Sequence, residues 1–288
     1  MPTLAEYKTT EKPAWCAGCG DYAVLAALQK ALVNLDVQPH NVAVVAGIGC
    51  SGRIGNYVNS YNFHVVHGRS LPAAMGIKLA NPELTVVAAG GDGDAFAIGM
   101  SHFMHSVRRN PDLTYIVMDN HIYGLTKGQA SPTSDLGFLT KGQPHGTYER
   151  PVHPLQLALG ARATFVAQGF SGNVKQLTSL VEQGIRHRGF AFINVISPCV
   201  TFNKQNTHDA YRELLTDLDQ TPGYDVHNRK GALQSVIEHD DLVTGLIYQE
   251  EGTPALDDII PGYQHTSLYP PTQPLPAEYF AKILERFR

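Results

Sequence analysis

Short apolar runs alternate with helix-length segments between residues 21 and 198, and this alternation limits the folds open to the chain. The segments between the runs have helical spacing, as in DYAVLAALQKALVNL, where leucines recur every three or four residues from Leu25 to Leu35. Strands separated by helices form βαβ units. The sequence therefore predicts an α/β fold, a mostly parallel sheet with helices on both faces. The runs that we interpret as strands are residues 41–47, 84–94, 113–120, 161–167 and 190–198.

The alternation stops near residue 205, where polar, proline-rich and amphipathic pieces follow one another. We therefore predict two parts, a domain over residues 1–204 that carries the chemistry and a C-terminal extension over residues 205–288. The extension is expected to hold one or two helices and to lie over the domain or over a partner. Within the domain, residues 124–150 are rich in glycine and are predicted to form a long loop.

The composition excludes several classes of function. A formal net charge of −4 over 288 residues offers no basic surface for nucleic acid or for an anionic membrane. No apolar run approaches the ~20 residues that span a bilayer, and the first residues lack the apolar core of a signal peptide. Four cysteines are too few for a disulfide scaffold in a chain of this length. We expect a cytoplasmic protein that binds neither nucleic acid nor membranes.

Acidic and amide side chains follow two of the predicted strands. GGDGD (90–94) lies between a strand and a helix start, where glycine lets the backbone approach a phosphate and helix N-terminal amides favour an anion. Asp92 and Asp94 would repel that anion unless a hard cation such as Mg²⁺ lay between them. Asp119 and Asn120, at the tip of the next strand, would supply further oxygen ligands. The alternative is a plain turn, in which Asp94 caps the helix and Asp119 is a turn former.

All four cysteines fall in predicted loops. Cys16 and Cys19 form a C-x-x-C pair in WCAGCG, while Cys50 follows the first strand and Cys199 the last. Cysteines that serve as small core hydrophobes lie more often inside strands and helices. The pattern favours one shared site, and three interpretations stay open: a [4Fe–4S] cluster, a tetrahedral zinc ion, or inert thiols. The single C-x-x-C pair favours the cluster over zinc, because structural zinc usually uses two such pairs.

Six stretches, taken together, resemble one known family. They are WCAGCG, GIGCSG, HGRSLPAAMGIKLANP, GGDGDAFAIG, MDNHIYGLTKGQASPTS and VISPCVTFN. In this order they are similar to the thiamine-diphosphate-binding β subunit of the 2-oxoacid:ferredoxin oxidoreductases, over about residues 10–205. Members often have glycine after GDGD, whereas this chain has Ala95 and Phe96. The difference leaves Asp92 intact and concerns only the local packing of the helix.

The resemblance implies an enzyme that converts a 2-oxoacid and coenzyme A to acyl-coenzyme A and CO₂, reversibly in some members. Electrons would pass from the thiamine-bound intermediate through one [4Fe–4S] cluster to ferredoxin. The difficult chemistry belongs to the cofactor, and the protein positions it. The implied cofactors are thiamine diphosphate, Mg²⁺ and the [4Fe–4S] cluster, with coenzyme A as co-substrate.

The family's motifs also imply which residues form the site. Mg²⁺ on the diphosphate would be held by the side chains of Asp92 and Asn120 and by the main-chain carbonyl of Ile122. His67 would be a catalytic residue beside the thiazolium ring, and an ordinary hydrogen-bonding role in a loop is the alternative. The cluster ligands would be Cys16, Cys19, Cys50 and Cys199. The residues that would line the cofactor are Ile48, Gly49, Cys50, Ser51, His67, Gly91, Gly93, Asp94, Gly124 and Leu125.

The resemblance implies a partner as well. No carboxylate of this chain can be assigned as the glutamate that activates the aminopyrimidine of the cofactor, and in the family an α subunit supplies it. We therefore expect a chain that is inactive alone and that works in an αβ or (αβ)₂ complex. Ferredoxin would be the electron partner and a small 2-oxoacid the substrate.

One loop residue bears on the identity of that substrate. Lys127 stands in GLTKGQ, where pyruvate-specific relatives more often resemble GLTGGQ. A lysine that reached the site would bind the distal carboxylate of 2-oxoglutarate, which pyruvate lacks. We therefore predict the 2-oxoglutarate synthase type, with pyruvate or broad 2-oxoacid specificity as the alternative. For the residue the alternative is a solvated lysine, and for the protein it is a non-catalytic iron–sulfur or zinc subunit.

Overall fold

One sheet forms the centre of the fold. The computed structural model describes residues 1–263, 265 and 285. Within them the strands are β1 (Val42–Ala46), β2 (Tyr61–His64), β3 (Thr85–Gly91), β4 (Leu113–Asp119), β5 (Phe165–Phe170), β6 (Phe190–Ile196), β7 (Thr216–Asp217) and β8 (Val243–Gln249). They pair in the order β2-β1-β3-β4-β6-β5-β8-β7. All neighbouring pairs are parallel except β5 with β8.

Helices cover both faces of this sheet. Within the described residues they are α1 (Asp21–Asn34), α2 (Ser70–Ala80), α3 (Met100–Arg109), α4 (Pro154–Gly160), α5 (Val174–Arg186), α6 (His208–Leu214), α7 (Arg229–Glu238) and α8 (Leu256–Ile259). Buried side chains of α1 and α5 join one hydrophobic cluster, and those of α2, α3, α4 and α7 join a second cluster on the opposite face. The predicted α/β fold is therefore confirmed. None of these helices is both long enough and apolar enough to cross a membrane.

The strand β1 illustrates why the predicted strands are almost wholly apolar. Successive side chains of a strand point to opposite faces of the sheet. Val42 and Val44 pack in the cluster with α1 and α5, whereas Ala43 and Val45 pack in the cluster with α2 and α3. Because both faces are covered, neither set can be polar, and the polar alternation of a half-exposed strand is lost.

An aromatic cluster on the second face fixes the chain that follows β3. Phe103 of α3 packs edge-to-face against Phe96 and Phe192, with ring centroids 5.5 and 4.9 Å apart. Phe96 stands in a single π-helical turn, Asp94–Ile98, between β3 and α3. The Ala95-Phe96 departure from the family pattern is therefore a packing feature. It anchors the turn that begins at Asp94.

The residues after 204 differ from the extended tail that we expected. They form three helices, α6, α7 and α8, where one or two were expected, and β7 and β8 extend the same sheet, with β8 antiparallel to β5. The strand signal of β8 is weak in the sequence because Gly245 interrupts its apolar run. The functional division of the chain at residue 204 stays a prediction. The proline-rich stretch from residue 269 onward, to which we gave a role over the domain or a partner, lies outside the described residues.

Candidate functional site

A cavity of about 570 Å³ opens at the carboxyl edge of the sheet, outside β1, β3 and β4. The chain leaves β1 toward β2 on one side and then enters β3 on the other side of β1. Loops diverge at such a reversal of strand order and leave a crevice between them. The volume falls in the range of pockets that bind cofactors and small molecules. We call this space the central cavity.

The central cavity brings together every residue that the family's motifs place around the cofactor or the Mg²⁺ ion. The predicted residues in its wall are Ile48, Gly49, Cys50, Ser51, His67, Gly91, Asp92, Gly93, Asp94, Asn120, Ile122, Gly124 and Leu125. The wall also contains Tyr123, Thr126 and Gln129, which sequence reasoning missed. These three belong to the loop of Gly124 and Leu125, so the continuity of that loop was the available signal.

Asp94 ties three chain segments together at the central cavity. Its Oδ1 accepts hydrogen bonds from the backbone N–H groups of Ile48, at 2.9 Å, and Gly68, at 2.8 Å. The same oxygen lies 2.8 Å from Nδ1 of His67. Because the carboxylate is fully buried, these donors take the place of water. Asp94 therefore positions the His67 ring and the loop after β1, which differs from the helix-capping alternative.

Gly47 allows β1 to end directly against this carboxylate. A Cβ atom at residue 47 would lie 2.0 Å from Oδ2 of Asp94, a separation that no pair of non-bonded atoms tolerates. Only a residue without a Cβ fits there. The contact with Asp94, a residue far along the chain, thus requires glycine as the first residue of GIGCSG.

Asp92 and Asp119 share one hydroxyl group beneath the central cavity. Oγ1 of Thr133 lies 2.9 Å from Oδ2 of Asp92 and 2.8 Å from Oδ1 of Asp119, and all three side chains are buried. Burial, and then the neighbouring Asp119, raise the pKa of the Asp92 carboxyl group. A cation bound at Asp92 would favour its charged form. Sequence reasoning gave Thr133 no role, although it stands in the SPTS stretch of a family motif.

The two polar residues at the tip of β4 point to different places. Asn120 lines the central cavity, and its Oδ1 accepts a hydrogen bond from the backbone N–H of Ile122 at 3.1 Å. Asp119 lines a separate polar cavity together with His121. Of the two, Asn120 is the residue placed to reach an ion in the central cavity.

A second cavity, of about 230 Å³, is lined by all four cysteines, and we call it the cysteine cavity. Cys16 is exposed and the other three are half-buried. Burial, and then the buried carboxylate Asp21, raise the pKa of the Cys50 thiol to about 11 and also raise the pKa of Cys19. Thiolate ligands would therefore form here by exchanging their protons for metal.

The cysteine sulfurs, where they stand, do not form the compact set of a tetrahedral zinc site. Four thiolates at 2.3 Å from one zinc ion lie about 3.8 Å from each other. Among the residues that the structure describes, no three cysteine sulfurs lie within 4.8 Å of one another. An all-sulfur donor set with this wider spacing suits a polynuclear iron–sulfur cluster better than a single ion.

The two cavities share a wall made of Cys50, Asn120, Gly124 and Leu125. At Gly124 this wall is only as thick as the backbone. A Cβ atom there would lie 3.5 Å from Sγ of Cys199 and 3.7 Å from Sγ of Cys50. A group held by the cysteines would therefore adjoin a ligand in the central cavity.

Trp15 holds the Cys50 loop in place. Its Nε1 donates a hydrogen bond to the carbonyl oxygen of Cys50 at 2.7 Å. The ring packs edge-to-face against Tyr57 and Tyr22, with centroids 4.9 and 5.3 Å apart. This buried contact joins the C-x-x-C segment to the loop that lines both cavities.

Lys127 does not occupy the place that the substrate hypothesis gave it. It lines the cysteine cavity, whereas its neighbour Thr126 lines the central cavity. The backbone of Lys127 has φ of 78°, and its N–H donates to the carbonyl oxygen of Gly124 at 3.0 Å. This left-handed turn puts adjacent residues on different walls, a placement that loop sequence alone does not reveal.

Comparison with known proteins gives two matches to family models. Residues 46–195 match the model described as thiamine pyrophosphate enzyme, C-terminal TPP binding domain. Residues 199–265 match the model described as the C-terminal part of the pyruvate ferredoxin oxidoreductase beta subunit. The first match runs from the last residue of β1 almost to the end of β6 and includes every residue that lines the central cavity, and the second begins at Cys199.

Individual relatives align along most of the chain. The 2-oxoacid:ferredoxin oxidoreductase 2, subunit beta, of Aeropyrum pernix is 40% identical over 90% of this chain and 88% of the relative. The 2-oxoglutarate synthase subunit KorB of Archaeoglobus fulgidus is 42% identical over 73% of this chain and 79% of the relative. Among solved structures, the 2-oxoglutarate:ferredoxin oxidoreductase from Magnetococcus marinus, with 2-oxoglutarate, coenzyme A and succinyl-CoA bound, superposes with a TM-score of 0.86. It is 37% identical and covers 99% of this chain and 91% of its own.

Proposed function

The chain belongs to the family of 2-oxoacid:ferredoxin oxidoreductase β subunits, and from this premise we propose that it catalyses the oxidative decarboxylation of 2-oxoglutarate together with an α subunit. Coenzyme A takes the acyl group, CO₂ leaves, and ferredoxin takes the electrons. The same reaction can run in the reductive direction. Pyruvate or a broad range of 2-oxoacids is the second candidate for the substrate.

The observation that carries this proposal is the wall shared by the two cavities. A 2-oxoacid decarboxylase without a redox partner has no use for four cysteines behind its cofactor, and an electron carrier has no use for a carboxylate-lined cavity at a strand-order reversal. Here the two kinds of site are separated by the backbone of Gly124. This arrangement suits a reaction in which carbon chemistry and electron transfer are coupled.

We assign the central cavity to thiamine diphosphate. When bound, this cofactor would supply the carbon nucleophile for decarboxylation, and an iron–sulfur cluster on the cysteines would supply a one-electron acceptor. The chain's own part is to position these groups. Asp94 orients the His67 ring toward the cavity, and residues Ile48 to Ser51 form one side of its wall.

Mg²⁺ is assigned to the carboxylate end of the central cavity. Asp92, Asn120 and the main-chain carbonyl of Ile122 offer oxygen donors, the ligand type that Mg²⁺ prefers. The buried Asp92 gives the physical reason for a cation there. Its carboxylate accepts a hydrogen bond from the neutral Thr133 hydroxyl, and the nearby His121 is a side chain whose positive charge would favour the ionised form of Asp92. A bound Mg²⁺ would balance this carboxylate and the diphosphate together.

The cysteine cavity is assigned to one [4Fe–4S] cluster with Cys16, Cys19, Cys50 and Cys199 as ligands. The donor set is all sulfur, and its spacing argues against the zinc alternative. Three separate chain segments would supply the ligands, so a bound cluster would also join the N-terminal loop to the edge of the sheet.

Co-purification with the α subunit tests the proposal. The anaerobically purified complex should be brown, contain about four irons per β subunit for its one assigned cluster, retain thiamine diphosphate with Mg²⁺, and reduce methyl viologen with 2-oxoglutarate and coenzyme A. A colourless zinc complex without thiamine diphosphate would contradict the assignment and favour a non-catalytic role. Equal or higher kcat/KM with pyruvate would keep the enzyme class and change the substrate.

A further inference from the structure

The outer rim of the cysteine cavity carries positive charge on a chain that is negative overall. Two charged side chains line the cavity, Arg53 and Lys127, and both are cationic, while no acidic residue lines it. A third cation, Lys204, lies beside the cavity, since its Nζ donates a hydrogen bond to the carbonyl oxygen of the lining residue Val200. The formal net charge of the whole chain is −4. The sign at this rim is therefore opposite to that of the molecule.

These three cations are not balanced by acidic partners. Among the ion pairs of the described residues, none includes Arg53, Lys127 or Lys204. A surface ion pair contributes little to stability. Unpaired charges of one sign, in contrast, create an electric field that extends about 10 Å at moderate salt. Such a field attracts an anionic partner and speeds its encounter.

Exposed apolar side chains line the same cavity as these cations. Phe202 is 38% exposed and Leu125 is 44% exposed, and both line the cysteine cavity. An apolar centre surrounded by charged or polar residues is the usual composition of a protein–protein interface. Cys16, the one exposed cysteine among the four, opens the cavity to solvent at the same place. The group held by the cysteines is therefore most accessible where the rim is cationic.

We propose that this rim is the docking surface of a small acidic electron-carrier protein. The residues of the rim are Cys16, Arg53, Leu125, Lys127, Phe202 and Lys204. The inference rests on the proposed function, because it needs a redox group on the four cysteines. Each encounter moves one electron from the reduced group on the cysteines to one oxidised carrier, with no bond made or broken and no proton transferred. Two encounters remove the two electrons of one decarboxylation.

The test compares two electron acceptors of opposite charge with the reconstituted αβ complex. An acidic bacterial 2[4Fe–4S] ferredoxin is one acceptor, and methyl viologen, a small dication, is the other. Arg53→Gln, Lys204→Gln and the double variant should raise the KM for ferredoxin, about threefold for each charge and about tenfold together. The KM for viologen should stay the same or fall, because repulsion of the dication weakens. Lys230→Gln on α7, an exposed lysine outside the cysteine cavity, is the matched control.

Salt provides a second measurement. Raising the ionic strength should raise the ferredoxin KM of the wild-type complex and change that of the double variant much less. A double variant with wild-type ferredoxin KM and wild-type salt dependence would overturn the proposal, as would an equal effect of Lys230→Gln. The same result would follow if the rim were covered by the α subunit. The charge reversal Lys204→Glu, on an exposed side chain, keeps the test decisive if Arg53→Gln impairs folding.

Failure of the proposed function would look different. In that case the wild-type complex would not reduce viologen with any 2-oxoacid. Binding of the ferredoxin to the complex, measured by surface plasmon resonance with the same variants and salt series, would still decide whether the rim is the docking surface.

Discussion

At the scale of residues, the site depends on single polar atoms that join chain segments far apart in sequence. Oδ1 of Asp94 holds the backbone of Ile48 and Gly68, and Oγ1 of Thr133 contacts both Asp92 and Asp119. Each of these atoms is buried, so water cannot replace it at low cost. Loss of one such group should therefore affect ligand binding at the central cavity more than a loss at the surface.

Thr133→Val removes the hydroxyl between the two carboxylates and keeps the size and branching of the side chain. We expect Mg²⁺-dependent binding of thiamine diphosphate to weaken about 10- to 100-fold, because the contact that orients Asp92 is lost and the two carboxylates lose the donor that they share. Calorimetric titration of the αβ complex measures this. Thr133→Ser keeps the hydroxyl and should bind nearly as the wild type does. Equal binding by the valine variant would show that Thr133 does not position Asp92.

Lys127→Gly tests the substrate hypothesis at the residue where sequence and structure differ most. If Lys127 binds the distal carboxylate of 2-oxoglutarate, its loss should lower the ratio of kcat/KM for 2-oxoglutarate to that for pyruvate by about tenfold or more. Steady-state kinetics with viologen measures the ratio. An unchanged ratio would remove Lys127 from substrate selection, as its place on the cysteine cavity favours. Its charge would then belong to the docking rim alone.

At the scale of elements, the unit formed by β5, α5 and β6 is fixed by polar contacts at both ends of its helix. Asn173 caps the start of α5 by accepting a hydrogen bond from the backbone N–H of Gln176 at 3.2 Å. At the other end, His187 is buried against Phe165 and hydrogen-bonded to the Thr164 hydroxyl at 2.8 Å. Because Cys199 follows just beyond the end of β6, the stability of this unit bears on the cysteine cavity.

Burial lowers the pKa of His187 from 6.5 to about 4, so acid should destabilise the fold through this residue. Between pH 6.5 and pH 4 the unfolded chain binds the proton and the folded chain does not. The contribution of His187 to the free energy of unfolding is therefore fully present above pH 6.5 and is lost as the pH falls toward 4. The loss is no more than about 3 kcal/mol. Urea unfolding across this range measures it. His187→Gln should show a flatter pH dependence, and an equal slope would contradict the assignment.

At the scale of the whole molecule, one sheet brings two different sites to the same edge. The loops after β1, β3, β4 and β6 meet there because parallel strands end on the same side. The strand β8 lies at the opposite side of the sheet from β1 and pairs antiparallel with β5. Residues beyond 204 are therefore part of the same hydrophobic core, with Val243 and Ile247 buried in its second cluster.

A chain that ends at residue 204 should not fold as an independent domain. It would expose the hydrogen-bonding edge of β5 and the apolar surface that α7 and β8 cover, which favours aggregation. Circular dichroism and thermal unfolding, compared with a chain that ends at residue 265 and keeps every described strand, provide the measurement. A cooperative transition at the same temperature in both chains would show that residues 1–204 do fold as an independent domain.

Much of the fold could be predicted because its signals are local. The five predicted strands and the helices between them are present, since a strand buried on both faces needs an apolar run and a covering helix needs apolar residues at helical spacing. The exposed edge strand β2 and the glycine-interrupted β8 lack such signals and were missed. The types of residue at the site could also be predicted, because a carboxylate after two glycines and a cysteine in a glycine-rich loop indicate by their side chains alone what they can bind.

The sequence by itself determined the α/β class, the residues available for chemistry and the loops that carry them. Only the tertiary structure decided which of these residues meet. That Gly47 must accommodate Asp94, that Thr133 reaches Asp92, and that Gly124 separates the two cavities depends on strand order and loop path. The same holds for Lys127, which a left-handed turn directs to the cysteine cavity. Periodicity reports on a residue's nearest neighbours along the chain, whereas these contacts form between segments that the sheet brings together.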